Sequence, residues 1–217
     1  MMKVEFGKEN PDELEESWPG QYSVFNWMEY VSAIPQPMFL VTTYKEGEIP
    51  NACLHAWSTF TGEEEDYYCI LSILKDTHTY TNISRDEEFC LNFAAPEYWE
   101  QCRETVQNNE RETDEITESG LNLKEAQAVS APRIEEAFLN LECKLEWEKE
   151  LHPGSQWILL AGSVQQIALE KEFAAGDAEE RLEEFGFLYN IHSPTDPIKG
   201  IQHDSKVGEL KLQTGEE

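Results

Sequence analysis

The clearest pattern along the chain is an alternation of apolar and polar residues between positions 139 and 148. A period of two predicts a β-strand with one face on the core and one face in water. The HPGS segment at 152–155 predicts a turn, and the apolar segment 156–169 predicts an antiparallel return strand. The apolar members of the first strand are Leu139, Leu141, Cys143, Leu145 and Trp147, and the expected wet face carries Asn140, Glu142, Lys144, Glu146 and Glu148.

Further strands are predicted nearer the N-terminus, where β-branched and aromatic residues are frequent. The segment PMFLVTTYKEGEIPNACLHAW predicts two strands around a turn at 45–48, DYYCILSIL at 66–74 predicts a third, and EFCLNFA at 88–94 predicts a fourth. Between the last two, residues 78–88 predict a short helix with Thr77 or His78 near its start. A second helix is predicted over 96–107, where proline comes first and apolar residues recur at helical spacing.

Many strands and few helices predict a mainly β fold, a small closed barrel with accessory helices. A length of 217 residues suits one substantial core. We expect a polar lead-in over 1–20, a barrel domain over 21–190 and a C-terminal extension over 191–217 that packs on or near the barrel.

The composition is strongly acidic, with 44 Asp and Glu against 16 Lys and Arg and a formal net charge of −28. Such a surface repels nucleic acids and anionic lipids, so we expect neither as a partner. The first 20 residues carry charges throughout and are not a secretory signal, and no apolar run approaches the roughly 20 residues of a membrane helix. Five scattered cysteines predict reduced thiols in a cytoplasmic protein.

Established catalytic motifs are missing from the sequence. It has no Gly-rich phosphate loop, no G-x-S-x-G and no H-E-x-x-H. The five histidines show no ligand spacing to one another or to cysteine, so we expect no metal site. Carboxylates are too abundant to single out an acid and base pair, and we assign no catalytic side chain.

Two stretches differ from their acidic surroundings. PNACLHAWSTFTG, at 50–62, contains no charged residue, and SILKDTHTYTNISR, at 72–85, carries a net charge of +1 with histidine neutral. The first predicts either a buried strand with a turn or a wall of a site for a flat polar ligand. The second contains hydroxyl groups and a cation between a predicted strand and a predicted helix, and such groups at a helix start can bind a phosphate. The alternative is that Thr77 or Thr79 only caps that helix.

The order of several short segments resembles the flavin reductase-like, FMN-binding split-barrel proteins, which include the flavoredoxins. The resemblance runs through NACLHAW, KDTHTYTNI, EFCLNFA, ETDEITESGLNL, APRIEEAFLNLECKLEWEKEL and ILLAGSVQQI. It covers roughly residues 30–170, and its strength lies in the ordered set rather than in any single motif. It implies a mainly β fold, a six-stranded Greek-key split β-barrel with a few accessory helices, and a homodimer.

The resemblance also implies a function. FMN would bind with its ring against residues 52–58 and its phosphate near Lys75, His78 and Thr79. Hydride would pass from NADH or NADPH to flavin N5, and electrons would then pass to an unknown acceptor, which makes the chain an NAD(P)H-dependent flavin reductase. The residues expected to bind FMN are Asn51, Ala52, Cys53, Leu54, His55, Ala56, Trp57, Ser58, Lys75, Thr77, His78, Thr79 and Asn82.

The chain departs from the family pattern at three places. Leu54 replaces a threonine expected near the flavin, Thr77 replaces an arginine, and TGEEEDYY replaces the usual Pro-Pro before the third strand. Each change predicts weaker FMN binding. Two alternatives therefore stay open: an FMN electron carrier that a partner protein reduces, and a split barrel that has lost FMN and binds another ligand. Trp57 lies either near the site or in the core.

Overall fold

A computed structural model describes residues 2–107 and 109–212. Most of the elements are β-strands. The strands are β1 Gln36–Pro37, β2 Phe39–Tyr44, β3 Pro50–His55, β4 Ser58–Glu63, β5 Asp66–Leu74, β6 Glu88–Ala94, β7 Leu123–Lys124, β8 Arg133–Ile134, β9 Ala137–Glu150, β10 Trp157–Leu169, β11 Leu188–Ile191, β12 Thr195–Asp196, β13 Ile201–Gln202 and β14 Lys206–Glu209. The helices are α1 Gln21–Val24, α2 Trp27–Ser32, α3 His78–Asp86, α4 Trp99–Glu104, α5 Glu115–Glu118 and α6 Lys171–Ala175, with a 3-10 turn at Pro96–Tyr98 and a π turn at Glu180–Glu184.

By its internal contacts the chain divides into two compact units. One comprises Pro37–Leu188 with the described residues from Glu209 onward, and the other comprises the described residues up to Gln36 with Tyr189–Gly208. The domain boundaries expected from the sequence, at 20 and 190, stay a prediction.

The larger unit is built on one antiparallel sheet of seven strands in the order β3-β2-β6-β9-β10-β5-β4. Its two edge strands, β3 and β4, are consecutive in the chain and are joined by residues 56 and 57 alone. The carbonyl oxygen of Trp57 accepts a hydrogen bond from the amide of Ser72 in β5 at 2.9 Å. The sheet therefore curls until its edges meet, which makes the split barrel that the sequence predicts, with seven strands rather than six.

The extra strand is β4, which the sequence pattern does not reveal. Its residues are mostly exposed and polar, and it pairs with β5 on one side only. Phe60 is the one large apolar residue of β4, and it packs against the barrel core. A single apolar residue gives no period of two, so the sequence pattern does not predict this strand.

Aromatic and aliphatic side chains from the central strands fill the barrel. Phe39, Phe89 and Leu91 are almost fully buried in this core. Gly162 of β10 faces it, and a Cβ atom there would lie 2.4 Å from the ring of Phe89. A glycine at this position thus allows the ring of Phe89 to pack closely against the backbone of β10.

The expected wet face of β9 is wet over its second half only. Glu146 and Glu148 are exposed, but Asn140 and Glu142 are buried. The carboxylate of Glu142 accepts hydrogen bonds from the amides of Gln127 and Ala128. The segment before β9 folds back over the strand and covers its first half, a long-range contact that a local period of two does not contain.

The two predicted helices of this unit are present. Helix α3 begins at His78, after Thr77 as its N-cap, as expected. The second helix starts as a 3-10 turn at Pro96–Tyr98 and ends as α4 at Glu104, earlier than predicted, so Val106 lies outside it and is exposed.

The smaller unit contains α1, α2 and most of a three-stranded sheet in the order β1-β11-β14. Asn26 and Glu29 form a capping box at the start of α2. The helix buries Trp27 and Tyr30, and the ring of Tyr30 lies 4.4 Å from that of His192, centroid to centroid.

None of the described helices is long and apolar enough to cross a membrane. Over residues 2–107 and 109–212, no group of three or more His, Cys, Asp or Glu side chains is arranged to hold a metal ion. All five cysteines carry free thiols.

Candidate functional site

The edge strand β3 presents backbone groups that lie outside the hydrogen-bond ladder of the sheet. Among the described strands it pairs with β2 alone, so alternate residues direct their N–H and C=O groups away from the sheet. The amide of Ala52 points outward in this way, because it donates to Oε2 of Glu115 at 3.3 Å. The backbone of Leu54, two residues on, has the same direction. Strand β3 therefore offers neutral donors and acceptors beside the split of the barrel.

Side chains at the far end of β3 serve the core. His55 is 5% exposed, and its ring lies 5.8 Å from that of Phe39 and 5.9 Å from that of Trp57. Its Nε2 lies 3.1 Å from the carbonyl oxygen of Trp57. Burial lowers the pKa of His55 to about 4, and this hydrogen bond offsets part of the shift. At neutral pH the ring is uncharged, so the whole strand is neutral.

The next three positions are the two residues that join β3 to β4 and the first residue of β4. Ala56 is buried, Ser58 donates to the carbonyl oxygen of Ala56 at 3.3 Å, and Trp57 is half-buried. The indole of Trp57 lies 5.6 Å from that of Trp157 and packs with Leu54 against Met38 and Leu188. Trp57 is thus part of an apolar cluster at the β3 end of the barrel.

A buried hydrogen-bond network joins β3 to α3. Nδ2 of Asn51 donates to Oγ1 of Thr79 at 3.1 Å and to Oγ1 of Thr43 at 3.2 Å. Asn82 donates to the same Thr43 oxygen at 2.9 Å. All four side chains are at most 3% exposed. Three sequence-predicted residues, Asn51, Thr79 and Asn82, therefore lie together, and these bonds hold the helix on the strand.

Two further predicted residues, Thr77 and His78, lie at the start of α3. Oγ1 of Thr77 accepts from the amide of Tyr80 at 3.2 Å and donates to the carbonyl of Leu74 at 2.8 Å. Thr77 is therefore a cap, as the structural alternative predicts. Next to it, Nδ1 of His78 is buried and has no hydrogen-bond partner among the described residues.

Lys75 lies apart from this group. Its ammonium forms an ion pair with Oε1 of Glu150, and the two side chains are 30% and 40% exposed. The carboxylate is at the end of β9, so the structure directs Lys75 toward the β9–β10 turn. Cys53 is half-buried, with Sγ 3.7 Å from the carbonyl oxygen of Leu54. Burial raises the pKa of this thiol, so it stays protonated at neutral pH.

A cavity of about 280 Å³ opens beside α3. One face of the helix forms its wall, since positions 78, 81, 82 and 85 recur at helical spacing. The turn after β2 and the loop before α5 form the other walls. The lining residues are Lys45, Glu46, Ile49, His78, Thr81, Asn82, Arg85, Arg111 and Glu112.

Sequence reasoning missed three cations at this cavity, Lys45, Arg85 and Arg111. Arg85 follows His78 by seven residues on a predicted helix, so helical spacing was a usable signal. Its guanidinium donates to the carbonyl of Tyr44 at 2.6 Å and pairs with Asp86. Lys45 and Arg111 are 66 residues apart in the sequence, and only the folded chain places both at the cavity.

A buried ion pair supports the wall near β3. Nζ of Lys45 lies 2.5 Å from Oε1 of Glu115, and the two side chains are 5% and 0% exposed. Burial raises the pKa of the Glu115 carboxyl, and the ammonium of Lys45 offsets part of this rise. Because Oε2 of Glu115 holds the amide of Ala52, the pair connects the cavity to the edge strand.

A curled antiparallel sheet with an exposed edge strand and a cavity beside α3 defines a mainly β barrel. The family model described as "Flavin reductase like domain" matches residues 31–185, which is most of the chain. The chain therefore belongs to the flavin reductase-like family, as the resemblance indicated.

Known proteins of this kind include a relative and two solved structures. An uncharacterized protein of Aquifex aeolicus is 28% identical over 184 residues, which cover 83% of this chain and 89% of the relative. Nitrilotriacetate monooxygenase component B from Bacillus cereus has a TM-score of 0.76 at 18% identity, covering 98% of this chain and all of that one. The NADH:FAD oxidoreductase SgcE6 of Streptomyces globisporus has a TM-score of 0.58 at 15% identity, covering 72% and 87%. Both structures share the fold.

Proposed function

We propose that this chain is an NAD(P)H-dependent flavin reductase that binds FMN between the edge strand β3 and the start of α3. The observation that carries the proposal is the position of His78, which lines the cavity beside α3 and whose buried Nδ1 has no hydrogen-bond partner among the described residues. The neutral strand β3 is hydrogen-bonded to the same helix through Asn51 and Thr79. Family membership supports an oxidoreductase that uses a flavin.

The outward backbone of β3 fits the flavin ring. Isoalloxazine has hydrogen-bonding atoms along one edge and no formal charge when oxidised, so neutral backbone groups recognise it without a competing ion. We assign this contact to residues 52–58. The apolar side chains of Leu54 and Trp57 and the neutral ring of His55 keep water and charge away from the strand.

The start of α3 fits the phosphate. A helix start favours an anion, and the buried Nδ1 of His78 is a polar atom without a partner in the described residues. We assign the phosphate to His78 and Thr79, with Arg111 across the cavity. Lys75 joins them if it leaves Glu150, and the other predicted residues, Asn51, Thr77 and Asn82, fix the helix in place.

The chemistry follows from what each part supplies. Bound flavin supplies the hydride-accepting N5 position, and the protein supplies binding and orientation. The neutral His55 and the protonated Cys53 add no charge at the β3 wall. NADH or NADPH is the proposed reductant, supported by the name of the NADH:FAD oxidoreductase that shares the fold.

The remaining proposals rest on family resemblance. We propose a homodimer, a cytoplasmic location and an electron acceptor that is itself a flavin, oxygen or a protein. FMN rather than FAD is proposed from the same resemblance.

The visible absorption spectrum of the purified protein tests the proposal, measured before and after addition of FMN and desalting. We expect a retained, shifted flavin band that bleaches on addition of NADH or NADPH without oxygen. A retained band that neither nucleotide bleaches would favour a carrier reduced by a partner protein. No retained band, together with no nucleotide oxidation in excess FMN, would contradict the proposal and favour a barrel that has lost FMN.

A further inference from the structure

The loop before α5 contains a tight turn whose backbone is held by the side chain of Lys45. In residues 110–113 the amide of Thr113 donates to the carbonyl oxygen of Glu110 at 3.2 Å. The ammonium of Lys45 donates to the carbonyl oxygens of Glu110 and Thr113, each at 2.8 Å. Both ends of the turn are therefore tied to one side chain.

The ammonium of Lys45 has no donor left for a ligand. An ammonium carries three protons, and its third partner is Oε1 of Glu115, inside the protein. Lys45 lines the cavity, yet its charge is neutralised and its hydrogen bonds are used. Its role there is to fix the loop.

Arg111 is the residue that this fastening presents. It lies between the two tied carbonyl groups and lines the cavity together with His78 and Arg85. No described residue accepts a hydrogen bond or forms an ion pair with its guanidinium, whereas Arg85 is bound to Tyr44 and Asp86. Among the described cavity residues, Arg111 is the cation available to an anion.

The placement of Arg111 matters because acids line the same cavity. Glu46 and Glu112 belong to its wall and repel an anion. A mobile arginine would be drawn to these carboxylates, and holding it would cost a bound phosphate part of its affinity. Holding the backbone of the turn removes the main-chain part of that ordering cost.

We propose that Arg111 determines the preference of the site for a phosphorylated flavin over uncharged riboflavin, and that Lys45, with Glu115, is the positioning residue that places it. The inference rests on the proposed function, because it concerns the phosphate of the same flavin. It assigns to the chain a selectivity that the family match does not contain.

The test compares dissociation constants for FMN and riboflavin, which differ by the phosphate alone, by titration of flavin fluorescence. Arg111→Gln should weaken FMN binding about tenfold, as expected for one charge-assisted hydrogen bond, and leave riboflavin binding within twofold. Arg103→Gln is the matched control, since Arg103 is an exposed arginine of α4 outside the cavity and should change neither constant.

Lys45 is tested together with its partner. Lys45→Met alone leaves the buried Glu115 carboxylate without its cation and endangers folding, so Lys45→Met/Glu115→Gln is the variant used. It should lose FMN affinity selectively, as Arg111→Gln does. Adding Arg111→Gln to it should cost less than twofold more, because the guanidinium is already released from its position.

Three outcomes would overturn the inference. Wild type could bind FMN no tighter than riboflavin, Arg111→Gln could leave the FMN constant unchanged, or the effects of the two sites could multiply in full. In each case flavin would still bind and the proposed function would stand. If neither flavin binds the wild type and nucleotide oxidation is absent, the proposed function fails first and the inference falls with it.

Discussion

Nδ2 of Asn51 lies 3.1 Å from Oγ1 of Thr79, and this buried hydrogen bond joins the edge strand β3 to the first turn of α3. The two elements that would hold the ring and the phosphate of the flavin therefore share one rigid connection. Thr43 bonds both Asn51 and Asn82 and completes it. Because the network is buried, losing one oxygen leaves a donor without a partner.

The first prediction concerns this network. Thr79→Val removes the oxygen that accepts from Asn51 and should lower the free energy of unfolding by about 1–3 kcal/mol. Thr79→Ser keeps the hydroxyl and should lose less than half of that amount. Urea denaturation followed by fluorescence measures both. Equal stability of the Val and Ser variants would mean that the bond contributes nothing.

The second prediction concerns pH. The pKa of His55 is lowered to about 4 in the folded protein, against 6.5 in the unfolded chain. Between these values the unfolded state binds a proton that the folded state refuses, so stability falls as pH drops from 6.5 to 4. The loss should reach about 3 kcal/mol at the lower end. Above pH 6.5 His55 contributes no pH dependence.

The control for this effect is His55→Gln, which keeps a donor for the carbonyl of Trp57 and cannot titrate in this range. Denaturation at several pH values should show a shallower slope for the variant than for wild type between pH 4 and 6.5. Parallel curves would show that other groups, such as the many carboxylates, cause the whole pH dependence.

The third prediction concerns Lys75. If its ammonium reaches the flavin phosphate, Glu150→Gln should release it from the ion pair and tighten FMN binding several-fold. Lys75→Met should weaken FMN binding, and neither change should affect riboflavin. An unchanged FMN constant in Lys75→Met would remove Lys75 from the site and leave the phosphate to His78, Thr79 and Arg111.

The fourth prediction concerns Leu54, which stands where the resembled family has threonine. Leu54→Thr adds a hydroxyl beside the outward backbone of β3 and should tighten FMN binding up to about tenfold. It also removes an apolar side chain from contact with two core clusters, so thermal stability should fall modestly. If flavin affinity does not rise, the ring lies elsewhere than against Leu54.

Local sequence signals predicted the elements that local physics determines. Thr77 caps α3 because a threonine oxygen can accept from the first turn. Leu141 and Cys143 of β9 face the core as their alternation predicts, whereas Trp147, on the same predicted face, is exposed. The sequence pattern did not predict strand β4, since this mostly exposed edge strand has no apolar period. The order of family motifs predicted the barrel, which the structure and the family model confirm.

Long-range contacts explain what the sequence could not predict. Lys45 meets Glu110, Thr113 and Glu115 only after β2 and α5 have packed on the same side of the barrel. Nothing near Lys45 in the sequence indicates that its ammonium is buried and holds the 110–113 turn, rather than lying in solvent as a lysine in a turn usually does. Lys75, whose neighbours in sequence suggest a phosphate contact, forms an ion pair with Glu150 from another strand, and its contact with a phosphate stays a prediction.

The most direct test of the central claim is the rate of NADH or NADPH oxidation by the purified protein as free FMN is raised, measured by nucleotide absorbance. We predict that the rate saturates as FMN is raised. In Arg111→Gln the half-maximal rate should require a higher FMN concentration, and the maximal rate should be unchanged. Absence of oxidation at every FMN concentration, with both nucleotides and with correctly folded protein, would contradict the proposal that this barrel is a flavin reductase.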